Sequence, residues 1–170
     1  MRAASDVALG EQPSLVDRGF QLAYKCAYQA MRLQWHLRRP TTHGALIAIW
    51  CGDEVLLVRN SYVSYYSLPG GYVHKGEQPA QAAARELNEE VGLVTSPEKL
   101  NLALEVTHKW QGKNDHVCIF AMSTGERLTV QVDHREVVHG GFYRAEDALK
   151  LPLFPPLEQH IREWTKQKSV

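Results

Sequence analysis

Apolar residues recur at intervals of three and four from Leu15 to Arg39, where Phe20, Tyr24, Ala27, Tyr28, Met31 and Trp35 form one stripe. That period predicts an amphipathic helix over residues 14–40, closed by Pro40, which cannot continue it. Lys25, Arg32, Arg38 and Arg39 make its later half basic. Three surfaces could cover the stripe: the chain's own domain, a second copy in a homodimer, or a membrane interface. Beyond Pro40 the period changes. Thr42–Trp50 and Glu54–Arg59 are near-continuous apolar runs about a tight Gly52-Asp53 turn, which predicts strands buried on both faces. Leu100–Trp110 and His116–Ser123 predict a second strand pair, with a polar turn at Gln111–Asp115 between them. Val130–Val138 reads as a loop with a strand fragment, and Gly140–Tyr143 as a short strand. Glu146–Lys150 and Leu157–Lys166 read as helices separated by the stiff LPLFPP segment. Residues 1–13 are small and polar, and a flexible N-terminus is expected there.

The most informative stretch is Gly70–Leu93, where a glycine turn leads into an alanine-rich helix. On that helix Glu86, Glu89 and Glu90 stand at i, i+3 and i+4 and share a face, while Ala80, Ala83, Ala84, Leu87 and Val91 lie opposite, where a sheet can cover them. Like charges at this spacing cost a bare helix roughly 0.2–0.5 kcal/mol per pair. A hard divalent cation turns that repulsion into coordination, because Mg²⁺ takes oxygen ligands. Gly70 and Gly71 lack the Cβ that would keep a backbone away from a metal or a phosphate.

Composition narrows the setting. Lys+Arg and Asp+Glu both number 19, so charge gives no pull toward nucleic acid or membrane. Cys26, Cys51 and Cys118 are odd in number and widely spaced, which fits neither a zinc site nor a disulfide framework and points to a reducing cytoplasm. No apolar run approaches the length of a membrane span.

Gly71, Glu77, Arg85-Glu86-Leu87, Glu89-Glu90 and Gly92-Leu93 match the Nudix box at all nine fixed positions. The chain therefore resembles the Nudix hydrolase family. The resemblance implies an α+β fold over residues 41–170, an α/β/α sandwich with a mixed sheet, the box helix and a C-terminal helix, to which residues 14–40 add a further helix. It also implies a Mg²⁺-dependent pyrophosphohydrolase, with Mn²⁺ as the substitute metal. The substrate would be a nucleoside diphosphate linked to another moiety: a nucleotide, a nucleotide sugar or a dinucleoside polyphosphate. Glu86, Glu89 and Glu90 match the family's metal ligands, and the Gly70 or Gly71 carbonyl could add one. Glu86 is also a candidate general base, and Glu136 is the best-placed acid on a later loop. Arg85 joins the catalytic set as the residue that pairs with Glu77 or Glu89 and holds a box glutamate in place. Arg59, Tyr66, Gly71 and His116 are candidate substrate-binding residues, and Tyr62 and Tyr65 could stack on a base. His74 departs from the family, which commonly has an acidic residue there. Lys109 stands where many ADP-ribose pyrophosphatases carry a proline. Two other readings of the same fold are a nucleotide sensor without hydrolysis and an RNA 5′-end pyrophosphohydrolase. An isopentenyl diphosphate isomerase is disfavoured, because no cysteine lies in the loop before the box.

Overall fold

The computed structural model describes residues 13–130, 132 and 134–168. The flexible N-terminus expected at residues 1–13 falls, except for Pro13, outside that range.

Helix α1 runs from Leu15 to Arg38. Ser14 starts it through a capping box in which its side chain accepts from the Asp17 N–H while the Asp17 carboxylate accepts from the Ser14 N–H. Arg39 ends it in the left-handed conformation, with its N–H donating to the Trp35 carbonyl. Strands β1 (Thr41–Cys51) and β2 (Glu54–Asn60) follow, then the short β3 (Gly70–Tyr72), helix α2 (Pro79–Val91), β4 (Asn101–Trp110), β5 (Lys113–Thr124), β6 (Val137–Arg144), the single turn α3 (Ala145–Ala148) and helix α4 (Pro155–Lys168).

The sheet is mixed. Its order is β4-β5-β1-β2-β6, with β3 on β1. β1 runs parallel to β5 from Thr41↔Asn114 to Cys51↔Thr124. On its other edge β1 meets β2 only at Trp50↔Val55 and Cys51↔Glu54, whereas its opposite end pairs with β3 from Gly44↔Tyr72 to Leu46↔Gly70. β1 and β2 thus diverge, and the glycine turn fills the gap. Alternation along β1 and β2 sends side chains to both faces, as their apolar runs require. On one face Ala45, Ile47, Ile49, Leu56 and Val58 pack against Ala82, Ala83, Leu87 and Val91 of α2. On the other, Leu46, Ala48, Trp50, Val55 and Leu57 pack against Leu157 and Ile161 of α4, with Trp164 stacked on Trp50 at 3.7 Å. Each large side chain buried this way contributes roughly 1.5–3 kcal/mol. The result is the expected α+β sandwich with an added N-terminal helix.

Three details differ from the sequence reading. The β4–β5 reversal occupies Gln111 and Gly112 alone, at φ 50° and 87°, so Lys113–Asp115 are extended strand and not turn. Strand β6 starts at Val137, before the expected Gly140–Tyr143, and runs to Arg144, with Gly140 and Gly141 opposite Val58 and Leu57. The α1 stripe is covered unevenly: Tyr28 and Trp35 are buried against the chain's own sheet, while Phe20 and Met31 stay 44% and 39% exposed. Among the described residues no helix is long and apolar enough to cross a membrane.

Candidate active site

The glycine turn and the start of α2 are locked together. Gly70 has φ 145°, and a Cβ there would come within 2.3 Å of the Ala45 carbonyl oxygen, so no larger residue fits. A Cβ on Gly71 would lie 2.5 Å from Glu86 Oε1; glycine lets that carboxylate rest against the backbone. The Gly70 N–H donates to Glu90 Oε2 at 2.8 Å. Two box carboxylates therefore converge on the turn.

Glu90 is held where its charge is disfavoured. Desolvation pushes its pKa up to about 8, with the negative charges of Glu86 and Glu136 adding to the rise and the hydrogen bonds from Gly70 and Asn60 opposing it. Arg85 organises the flank of the site. Its Nε and Nη2 donate to Glu77 at 3.0 and 3.1 Å, its Nη1 to Glu86 at 2.7 Å and Glu89 at 3.3 Å, and Nη2 also to the Tyr72 carbonyl at 3.1 Å. The fork from Arg85, then the His74 N–H, holds the Glu77 carboxyl down to about 2. Glu77 in turn accepts from the His74 N–H at 2.9 Å, which pins the loop before α2. Glu89 is the exposed member, its side chain 58% accessible.

Glu136, distant in sequence, arrives from the loop before β6. Its Oε1 accepts from Tyr62 Oη at 2.9 Å, and its carbonyl accepts from the Ser61 N–H at 2.7 Å. Its charge acts on Glu90, so it belongs to the same electrostatic cluster. Desolvation, then Glu136, raises the pKa of Tyr62, which keeps that hydroxyl a donor.

Beside the turn lies a cavity of about 180 Å³ bordered by Gly70 and Gly71. Tyr62 and Tyr65 line it, together with Trp110, Phe154 and, from α1, Tyr28 and Trp35. Lys113 and Asp115 form a buried ion pair at 3.1 Å in its wall, and Thr42 Oγ1 donates to Asp115 at 2.6 Å. The aromatic stripe of α1 signalled that this helix packs, but its period does not say onto what. Lys113 and Asp115 were hidden in a segment whose polarity reads as a turn.

The other candidates fall elsewhere. Arg59 lies 5.8 Å from the Tyr66 ring centroid, and Tyr66 packs edge-on against His139 and Tyr143; neither Arg59 nor Tyr66 lines the cavity. His116 alternates away from Asp115 and Val117 and bonds Glu105 at 2.9 Å. Cys118 sits opposite Glu105, and the donor atoms of Glu105, His116 and Cys118 lie within 4.8 Å of one another. That mixed nitrogen, oxygen and sulfur set differs from the all-carboxylate set on α2, whose hard donors are the ones suited to Mg²⁺.

The family model described as NUDIX domain matches residues 40–167. The NAD-capped RNA hydrolase NudC of Citrobacter koseri is 29% identical over 113 residues, covering 65% of this chain and 41% of its own length. A human diphosphoinositol polyphosphate phosphohydrolase is 32% identical over 104 residues, covering 58% of this chain and 54% of its own. The chain thus spans about half the length, or less, of these curated relatives. The crystal structure of a MutT protein from Methanosarcina mazei superposes with a TM-score of 0.67 at 20% identity, over 78% of this chain and 99% of that one.

Proposed function

Since the chain belongs to the NUDIX domain family, we propose that it is a Mg²⁺-dependent pyrophosphohydrolase that cleaves the diphosphate of a nucleoside diphosphate linked to another moiety. The observation that carries this reading is the convergence of Glu86 and Glu90 on the Gly70-Gly71 turn, with Glu89 on the same helix face. The donors are all carboxylate oxygens, and Glu90 stands where burial and the charges of Glu86 and Glu136 disfavour its own, which fits a hard divalent cation. Glu86, Glu89 and Glu90 would hold it, with the Gly70 carbonyl as a further oxygen. A cation bound there would neutralise the diphosphate and lower the pKa of a water.

The chain's own groups account for the rest. The water oxygen attacks one phosphorus, the bond from that phosphorus to the bridging oxygen breaks, and the bridging oxygen departs with the second phosphate. Glu136 takes the water's proton: it belongs to the electrostatic cluster around Glu90, and Glu86 is already engaged by the Arg85 guanidinium at 2.7 Å. Arg85 and Glu77 act as positioning residues that keep Glu86 and Glu89 in register.

The relatives' names suggest different substrates, and the surroundings of the turn favour a nucleotide. Among the described residues that line the cavity Lys113 is the one cationic side chain, and Asp115 neutralises it. A heavily phosphorylated polyol needs many cations. A long RNA gains little from a chain with 19 basic and 19 acidic residues. The three unpaired cysteines support a cytoplasmic setting. A product screen with Mg²⁺ across ADP-ribose, nucleotide sugars, dinucleoside polyphosphates and nucleoside triphosphates tests the proposal. Two phosphate-bearing products from one class are expected. Nucleotide binding without turnover of any of them would replace hydrolysis with sensing.

A further inference from the structure

The matched domain begins at residue 40, yet the cavity beside the glycine turn is closed by residues from α1, which precedes it. From this geometry we infer that α1 is one wall of a binding pocket for the flat heteroaromatic ring of the substrate. The inference rests on the reading of the substrate as a nucleoside diphosphate derivative.

Four contacts seat α1 across the cleft. Tyr28 Oη donates to Gln111 Oε1 at 2.5 Å, and the backbone at His36 packs so tightly on the β4–β5 turn that a Cβ on Gly112 would meet it at 3.1 Å. At the other end Gln21 Nε2 donates to the His134 carbonyl at 2.7 Å, and Arg135 pairs with Asp17 at 3.0 Å. The helix therefore bridges the β4–β5 hairpin and the loop that carries Glu136. Its position is fixed by the same segments that build the site.

What this wall encloses is aromatic. Tyr28 lies 4.8 Å from Tyr62 and 6.0 Å from Trp35, ring to ring. Trp110, also in the lining, stands 5.8 Å from Tyr65 and 5.7 Å from Phe154. A lining of rings suits a flat guest, since an offset or edge-on stack gains beyond the area it buries. The buried Lys113–Asp115 pair, exposed 6% and 5%, places a donor and an acceptor side by side in a largely aromatic enclosure. Desolvating such a pair is costly, and a ring edge carrying its own acceptor and donor supplies hydrogen bonds that water cannot deliver there. A nucleobase has that edge; a sugar phosphate has no flat face to stack. The cavity is bordered by Gly70 and Gly71, so a ring held in it leaves its diphosphate beside Glu86 and Glu90.

The test separates ring binding from turnover. In EDTA, the full-length protein is titrated with AMP, GMP, CMP and UMP, and with ribose 5-phosphate and inorganic pyrophosphate as ringless probes. Binding is followed by calorimetry and by tryptophan fluorescence, which Trp35 and Trp110 report. At least one nucleotide is expected to bind and quench at concentrations where ribose 5-phosphate does neither. Tyr28→Leu is expected to weaken that nucleotide by about 10-fold, the loss of one base-stacking face. With substrate, the loss should fall on KM more than on kcat. Tyr28→Phe keeps the ring and should restore most of the affinity. Met31→Arg, at the partly exposed edge of the wall, should weaken nucleotides without lowering the melting temperature. Equal binding of ribose 5-phosphate and every nucleotide would overturn the inference. So would an unchanged KM in folded Tyr28→Leu and Met31→Arg. Nucleotide binding that depends on Tyr28, with no hydrolysis of any substrate, would leave the pocket standing and remove the pyrophosphohydrolase. Hydrolysis indifferent to α1 would do the reverse.

Discussion

Replacing Glu90 by glutamine probes the electrostatics of the site without any substrate. The amide oxygen can still accept from the Gly70 N–H, so the turn keeps its 2.8 Å hydrogen bond while the titratable charge is gone. In the wild type, burial lifts the Glu90 pKa from the usual 4.5 to about 8. The folded state then holds the proton more tightly than the unfolded chain between those two values. Its stabilising contribution is complete below pH 4.5 and is lost as pH rises through 8. At roughly 1.4 kcal/mol for each pH unit, that displacement sets a ceiling of about 5 kcal/mol. A loss of that size is a large fraction of the roughly 5–15 kcal/mol by which domains are stable. Urea denaturation in EDTA at intervals from pH 5 to pH 9 measures it. The wild-type midpoint should fall across that range more steeply than that of Glu90→Gln, with the gap widest at the alkaline end. Mg²⁺ added at high pH should raise the wild-type midpoint, because it favours the ionised carboxylate, and should help the glutamine variant less. Parallel pH profiles for the two proteins would refute the reasoning.

Other substitutions divide folding from chemistry. Gly70→Ala meets backbone at 2.3 Å in a left-handed region and should cost about 3 kcal/mol or more, read as a lower urea midpoint. Gly71→Ala meets only the Glu86 carboxylate, so stability should change by less than about 1 kcal/mol while Mg²⁺-dependent turnover falls about 10–100-fold. Arg85→Lys keeps the charge but loses the fork to Glu77, and a drop of about 10–100-fold in kcat is expected at nearly unchanged stability.

Much of this architecture is legible in the sequence because local chemistry and global fold agree. The Gly70-Gly71 pair, the 3.6 period of α2 and the carboxylates at i, i+3 and i+4 each demand the geometry found. The pairing of Arg85 with Glu77 follows from a helical residue reaching back to the loop that leads into its own helix. What the sequence conceals is long-range. Lys113-Asn114-Asp115 is as polar as a loop, yet Lys113 and Asp115 are buried because they neutralise each other beneath Trp35, whose ring the ammonium approaches to 4.7 Å. The sequence hides the start of β6 at Val137, three residues before Gly140, where glycine makes room: a Cβ on Gly140 would press on Val130 and Val132 at 3.1 Å. His116 follows a pocket residue in sequence but alternates to the other sheet face, a choice that only the parallel register with β1 decides. The aromatic stripe of α1 shows that the helix has a buried side, and no local signal shows that it lies across the cleft.

The claim at the centre of this account is that carboxylates on α2 direct water onto a diphosphate. The most direct measurement runs the best substrate of the screen in H₂¹⁸O with Mg²⁺, wild type beside Glu89→Gln, and locates the label by mass spectrometry. The account predicts one ¹⁸O in a single phosphate-bearing product of the wild type. It also predicts turnover at least about 100-fold lower in a Glu89→Gln protein that melts like the wild type. Full Mg²⁺-dependent turnover in that variant, or products that carry no label, would contradict it.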